Sequence, residues 1–283
     1  VGKYQNYAKL AAFLLFAVSM SSLADEVLQS PKILVYREGF PDNTLEMYRP
    51  ADASVKTKEH YPALVLFHGG AWARGDADEF ARQSPWLSQR AGLVVFSVNY
   101  PTHRNPVEST LAAMAAICWV KSHANELGID QNRIAAGGGS AGGQLALIAA
   151  IAPTHLDVPG CKQVSLPYVE ALVLFNPVID LSGKWERLLK MKLRDVSPMD
   201  ALQGPLPPTL IVQGTLDRIA PIVKTRRFIE KAKKLGAGNI QMIEYPGREH
   251  GFFNKEPDTE STLQDSLEFL RKIGWADQSA HNF

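Results

Sequence analysis

The sequence predicts an α/β fold, with a mostly parallel central sheet and helices on both faces. Three observations predict it. Ala63–Phe67 and Leu93–Val98 are continuous apolar runs, as expected of strands covered on both faces. Strand-like segments alternate with helix-period stretches along most of the chain. A glycine-rich run, residues 136–143, joins a strand-like segment directly to a helix-like one.

Ile33–Tyr36 and Thr44–Tyr48 read as short strands joined by a turn at Pro41–Asn43. The two apolar runs follow, then a helix-period stretch over Ser109–Leu127 that stops at Gly128. Arg133–Ala136 is the next strand, and Gln144–Ile151 the helix after the glycine run. Ala171–Phe175, Thr209–Val212 and Ile240–Tyr245 complete the strands, alternating with helical patterns at Pro221–Leu235 and Thr259–Ile273. Two strand patterns and a linking loop take up most of the chain between Asp25 and His68, which leaves little or no lid there. Asn176–Pro208 is only a modest insertion, and its Ser197–Pro208 stretch reads as a surface loop beside the site. Without repeats or linkers, residues 25–283 read as one domain.

Composition narrows the function classes. The chain has 283 residues, 46% hydrophobic and 21% charged, enough for a large α/β domain with a buried core. A net charge of +1 offers no electrostatic case for nucleic acid. Lys231, Lys233 and Lys234 fit the solvated last turn of a helix. Residues 1–24 differ: Lys3 and Lys9 precede an apolar run, Leu10–Val18, and Ser22–Ala24 offers a small-residue cleavage site. That pattern predicts a signal peptide and a periplasmic or secreted product; the run is too short to span a bilayer. Cys118 and Cys161 are the only cysteines, and a disulfide and a buried free thiol are both open for them. Neither has metal-ligand spacing, so no metal is expected.

The glycine run satisfies two motifs. Gly138-x-Ser140-x-Gly142 places a serine on a sharp strand-to-helix turn, where small neighbours are needed because side chains would strike the adjoining strand and helix. Gly137-x-Gly139-x-x-Gly142 is also the dinucleotide fingerprint. The second reading requires a first βαβ unit and an acidic residue at the next strand end. Here several elements come first, and Asp157 lies in a Pro- and Gly-containing loop. The context disfavours a dinucleotide.

Three further pieces lie after predicted strands. His68–Trp72 closes the Ala63–Phe67 strand with two glycines, whose uncovered N–H groups can face a developing negative charge. Asp217 follows the strand ending at Val212, and His250 follows the strand ending at Tyr245. Taken singly, these read equally as a tight turn, a turn-forming aspartate and a solvated histidine. Together, Ser140, Asp217 and His250 stand at carboxyl ends of strands in the order Ser, Asp, His.

On these residues the chain resembles the α/β-hydrolase superfamily, in the branch of hormone-sensitive lipase and bacterial carboxylesterases, acetyl xylan esterases included. The resemblance covers Pro62 to the C-terminus and rests on His68–Trp72, Gly138–Gly143, Asp217 and His250–Phe252. It implies an α/β-hydrolase fold and serine ester hydrolysis, with Ser140 as nucleophile, His250 as base and Asp217 as its orienting acid. Backbone N–H groups of Gly69 or Gly70, with Ala141, would form the oxyanion hole, and no cofactor is implied. Ala71 stands where relatives usually carry a third glycine, and Asn99–Thr102 departs from the usual Tyr-Arg-Leu.

An open, exported site suits a carbohydrate-directed esterase of the acetyl xylan or feruloyl type, acting on acylated polysaccharide. Trp72, Trp86 and Trp185 are the candidates for a sugar platform, with core packing as their other reading. A broad short-chain carboxylesterase for small-molecule esters, or a formamide hydrolase, needs the same machinery. A non-catalytic binding protein on this scaffold would lack a triad member or an oxyanion glycine, and none is missing. Oligomeric state is not legible in the sequence.

Overall fold

Eight strands pair into one sheet: β1 (Lys32–Val35), β2 (Thr44–Tyr48), β3 (Tyr61–Phe67), β4 (Val94–Val98), β5 (Ile129–Gly139), β6 (Ala171–Phe175), β7 (Thr209–Gly214) and β8 (Ile240–Tyr245). The computed structural model describes residues 30–51, 60–158 and 160–276, so the predicted signal segment, 1–24, lies outside the described residues. All of these elements belong to the unit that begins at Pro31. The spatial order is β1-β2-β4-β3-β5-β6-β7-β8. Strands β3 to β8 are mutually parallel, and β2 runs antiparallel to both β1 and β4.

The order explains where a site can form. From β3 the chain steps outward to β4, then crosses back to β5 on the other side of β3. Connections at that reversal leave in opposite directions and open a crevice at the carboxyl ends of β3 and β5. Those are the ends that carry His68 and Ser140.

Helices α1 (Gln83–Ala91), α2 (Pro106–Ser122), α3 (Ala141–Ile151), α4 (Lys184–Leu189), α5 (Pro198–Ala201), α6 (Ile222–Lys234) and α7 (Asp258–Lys272) cover the sheet. Strand residues divide by alternation. Ala63, Val65 and Phe67 of β3 join the core of α2, α3 and α6, whereas Leu64 and Leu66 join that of α1 and α7. Both faces are thus dry, which is why β3 and β4 are almost wholly apolar, the one hydroxyl of β4, Ser97 Oγ, donating to Ala77 O at 2.7 Å. Asn105 caps α2 by accepting the N–H groups of Val107 and Glu108, each at 3.2 Å, with Pro106 at its first position. No helix among the described residues is long and apolar enough to cross a membrane.

Four details differ from or complete the sequence reading. Helix α1 has no counterpart there, because its QSPWLSQRA sequence buries serines: Ser84 and Ser88 are fully enclosed, and Ser88 Oγ donates to Leu93 O at 2.9 Å. Strand β5 begins at Ile129, which pairs with Tyr61 before an irregularity in register, so its polar start conceals it. Ser197–Pro208 is not a loop beside the site in its second half. Ala201–Pro205 lies with Ala150–His155 around a cavity at the carboxyl end of α3, the opposite end from Ser140. The cysteine question closes as well: Cys118 of α2 and Cys161 form a disulfide, with Cα atoms 5.3 Å apart.

Candidate active site

Strand β5 and helix α3 meet at Ser140 with almost no space between neighbouring chains. A Cβ on Gly142 would lie 1.8 Å from Phe67 O, and one on Gly138 would lie 2.2 Å from the same atom. Gly138 also holds a φ of 153°. Neither position can carry a side chain while β3 and α3 pack this closely. Ser140 itself adopts φ 53° and ψ −112°, a conformation that costs a non-glycine residue about 1–3 kcal/mol. The surroundings hold it there. Its N–H donates to Phe175 O at 2.9 Å, and its carbonyl accepts Val178 N–H at 2.9 Å.

The loops after β7 and β8 bring the other two residues in. Asp217 Oδ2 accepts the Nδ1–H of His250 at 2.7 Å. A carboxylate has no proton to give, so Nδ1 carries the hydrogen and Nε2 presents a lone pair. Nε2 faces Ser140 Oγ at 2.8 Å. Residues far apart in sequence therefore form one continuous hydrogen-bonded line.

Asp217 is held from several sides. Its Oδ1 accepts the N–H groups of Ile219 and Ala220, each at 2.8 Å. Oδ2 also accepts Asn176 Nδ2 at 3.0 Å and Gln213 Nε2 at 3.3 Å. Burial alone would raise this acid. The hydrogen bonds from His250, Ala220 and Ile219, with the imidazole's charge, outweigh burial and hold the carboxyl below its ordinary value. Asn176 and Gln213 escaped the sequence reading, although each ends or follows a strand at the carboxyl side of the sheet, where such partners belong.

The turn at His68–Trp72 lies over the same crevice. Gly70, Ala71 and Trp72 have φ of 101°, 54° and 57°, so Ala71 takes the left-handed backbone that a third glycine would take freely. His68 is buried and stacks on Tyr100, with ring centroids 4.1 Å apart, while Tyr100 Oη donates to His68 O at 2.7 Å. Burial holds the His68 imidazole below its ordinary value, against its bond to Gly69 O and the charge of Asp76. In the Asn99–Thr102 stretch Tyr100 braces this turn, and Asn99 Oδ1 accepts the Ala77 N–H at 2.8 Å.

Two expectations need correction. Gly69 is not a free donor, because its N–H already donates to the Glu79 carboxylate. Gly70 and Ala141 remain, the latter in the first turn of α3, where an N–H lacks an intrahelical partner. The tryptophans do not form an exposed platform. Trp72 is 0% exposed, donates Nε1–H to Gln144 Oε1 at 2.8 Å, and meets Trp185 edge-on at 5.2 Å. Trp185 is itself buried, and Trp86 is half-buried against the core of α1 and α7. These large rings remove apolar area from water instead of presenting it to a ligand.

The fold and this constellation define an α/β hydrolase. The family model BD-FAE matches residues 45–232, and the chain belongs to that family, among the hormone-sensitive-lipase-like carboxylesterases of the α/β-hydrolase superfamily. It is similar to Esterase LipC of Mycobacterium tuberculosis, 28% identical over 240 residues that make up 75% of this chain and 57% of LipC. The chain thus spans little more than half the length of that curated relative. Among solved structures it is similar to the thermophilic esterase Est2 of Thermogutta terrifontis with propionate bound, at a TM-score of 0.80 and 32% identity, covering 89% of this chain and 98% of that one. The same esterase phosphonylated by sarin matches with a TM-score of 0.81 and 31% identity, over 90% and 99% of the two chains.

Proposed function

We propose that this chain is a serine carboxylic-ester hydrolase working through Ser140, His250 and Asp217. The observation that carries this reading is the unbroken line from Asp217 through His250 to Ser140 Oγ. Ser140 Oγ attacks the ester carbonyl carbon while His250 Nε2 takes the hydroxyl proton. Asp217 stabilises the resulting imidazolium. The carbonyl oxygen becomes an oxyanion, bound by the N–H groups of Gly70 and Ala141, each worth about 3–4 kcal/mol in the transition state. Collapse breaks the bond to the alcohol, which leaves with the proton from His250. Water then repeats the sequence, releasing the acid and restoring Ser140.

Short acyl groups are the class we favour. Est2, seen with propionate, supports the same class. An acetylated-polysaccharide substrate rests on the expected open site and on the leader-like pattern of residues 1–24, from which we also infer export, and has lost the support of a tryptophan platform. The test is Ser140→Ala on p-nitrophenyl acetate, where activity should fall about 10³-fold or more. Retention of most activity would overturn the reading. Acetate release from acetylated xylan, compared with that from p-nitrophenyl acetate, decides between polysaccharide and small-molecule esters.

A further inference from the structure

Glu79 lies on a short 3₁₀ turn, Ala77–Phe80, just after the oxyanion turn, and nothing in the mechanism above uses it. Its position is nevertheless tightly specified. Oε2 accepts the Gly69 N–H, and Oε1 accepts Asn254 Nδ2 at 2.8 Å. Asn254 Oδ1 in turn accepts Gln83 Nε2 at 2.9 Å. Asn254 closes the turn Phe252–Asn254, which Gly251 joins to His250. The neighbouring Phe80 is fully buried and stacks on Phe253, which leaves Glu79 little freedom to swing away.

The carboxylate shares space with the nucleophile. A carbon placed at the Cβ position of Gly69 would lie 3.4 Å from Glu79 Oε1 and 3.4 Å from Ser140 Cβ. Glu79 also lies close enough to His250 for their charges to interact. Both of its oxygens accept N–H donors, which is the pattern of an ionised acid. Asp76 adds to the negative potential around it.

Resting on the esterase reading, we propose that Glu79 is a positioning and specificity-determining residue. It pins the Gly69 turn to the His250 loop and sets a negative charge beside the reacting atoms, which selects neutral and cationic esters over anionic ones. A substrate carboxylate entering this half-buried space would meet Glu79 in a region of reduced dielectric, where like charges a few ångströms apart repel strongly.

The test compares p-nitrophenyl butyrate with mono-p-nitrophenyl succinate, esters of equal acyl length that differ by one negative charge. The wild type should favour the butyrate by roughly tenfold or more in kcat/KM, and added salt should narrow the preference. Glu79→Gln, nearly isosteric, should bring the ratio down by roughly tenfold. Glu79→Asp, which keeps the charge but shortens the reach, should lower kcat on both esters while retaining the preference for the neutral one. An unchanged ratio in Glu79→Gln, with both esters slowed alike, would overturn the selectivity role. A folded wild type that hydrolyses neither ester would overturn the esterase reading and this inference with it.

Discussion

Two carboxylates approach His250 from different parts of the chain, and their settings are opposite. Asp217 sits on the loop after β7 and receives hydrogen bonds from two backbone N–H groups, two amides and the imidazole. Those bonds outweigh burial, and the acid is held below its ordinary value. Glu79 sits on the turn after β3 and receives one backbone N–H and one amide. For Glu79 burial is the larger effect; the bonds to Gly69 and Asn254 and the charge of His250 oppose it without prevailing, and the acid is pushed up. The number of donors decides whether an enclosed carboxylate is a settled anion or a costly one.

The widest separation between the two should appear in turnover. Asp217→Asn should cost about 10⁴-fold in kcat on p-nitrophenyl acetate, because an amide in place of the carboxylate lets His250 take the wrong tautomer. Glu79→Gln should cost no more than about tenfold on the same neutral ester. If the two variants fell equally, the distinction drawn between an orienting acid and a selecting one would collapse. A smaller effect is expected from Asn176→Ala, which removes one of several donors to Asp217 and should lower kcat about tenfold or less.

Stability against pH should separate them by sign. The Asp217 pKa is depressed in the folded protein, so its contribution is present above the unfolded value of about 3.9 and is lost as pH falls through the lower folded value. The difference in Tm between wild type and Asp217→Asn should therefore shrink in acid. The Glu79 pKa is raised, so its contribution is complete below the unfolded value of about 4.3 and is lost as pH rises through the folded value. The Tm of Glu79→Gln relative to wild type should rise over that range. Parallel trends in the two variants would contradict the contrast.

The smallest effect on activity should come from the disulfide. It ties α2 to the segment after α3 across 43 residues of sequence, away from the Ser140 end of α3. Replacing both cysteines by serine should cost up to about 4 kcal/mol of stability in thermal or urea unfolding, with kcat unchanged below the transition.

Much of this architecture was legible because burial leaves a pattern. Strands β3 and β4 are dry on both faces, and their apolar runs say so. Ser140, Asp217 and His250 were legible because each follows a strand of a parallel sheet, where a crevice must form. Residues whose role is to brace something distant in sequence left no such trace. Tyr100 holds the carbonyl of His68, Asn176 holds Asp217, and Glu79 holds Gly69; none carries a local motif. The tryptophans misled for a related reason, since an aromatic ring serves a core and a sugar site equally well until its neighbours are known. Here Gln144 satisfies the indole N–H of Trp72 inside the core, which a sequence pattern does not reveal.

Est2 of Thermogutta terrifontis has been seen phosphonylated by sarin, which suggests the most direct measurement on this chain. The folded protein should be treated with a fluorophosphonate probe and its intact mass and peptides determined. A single adduct on the peptide holding Ser140, formed far more slowly in Asp217→Asn, is the predicted result. No adduct, or an adduct on another residue with Ser140 unmodified, would contradict a nucleophile at the Gly138–Gly142 turn.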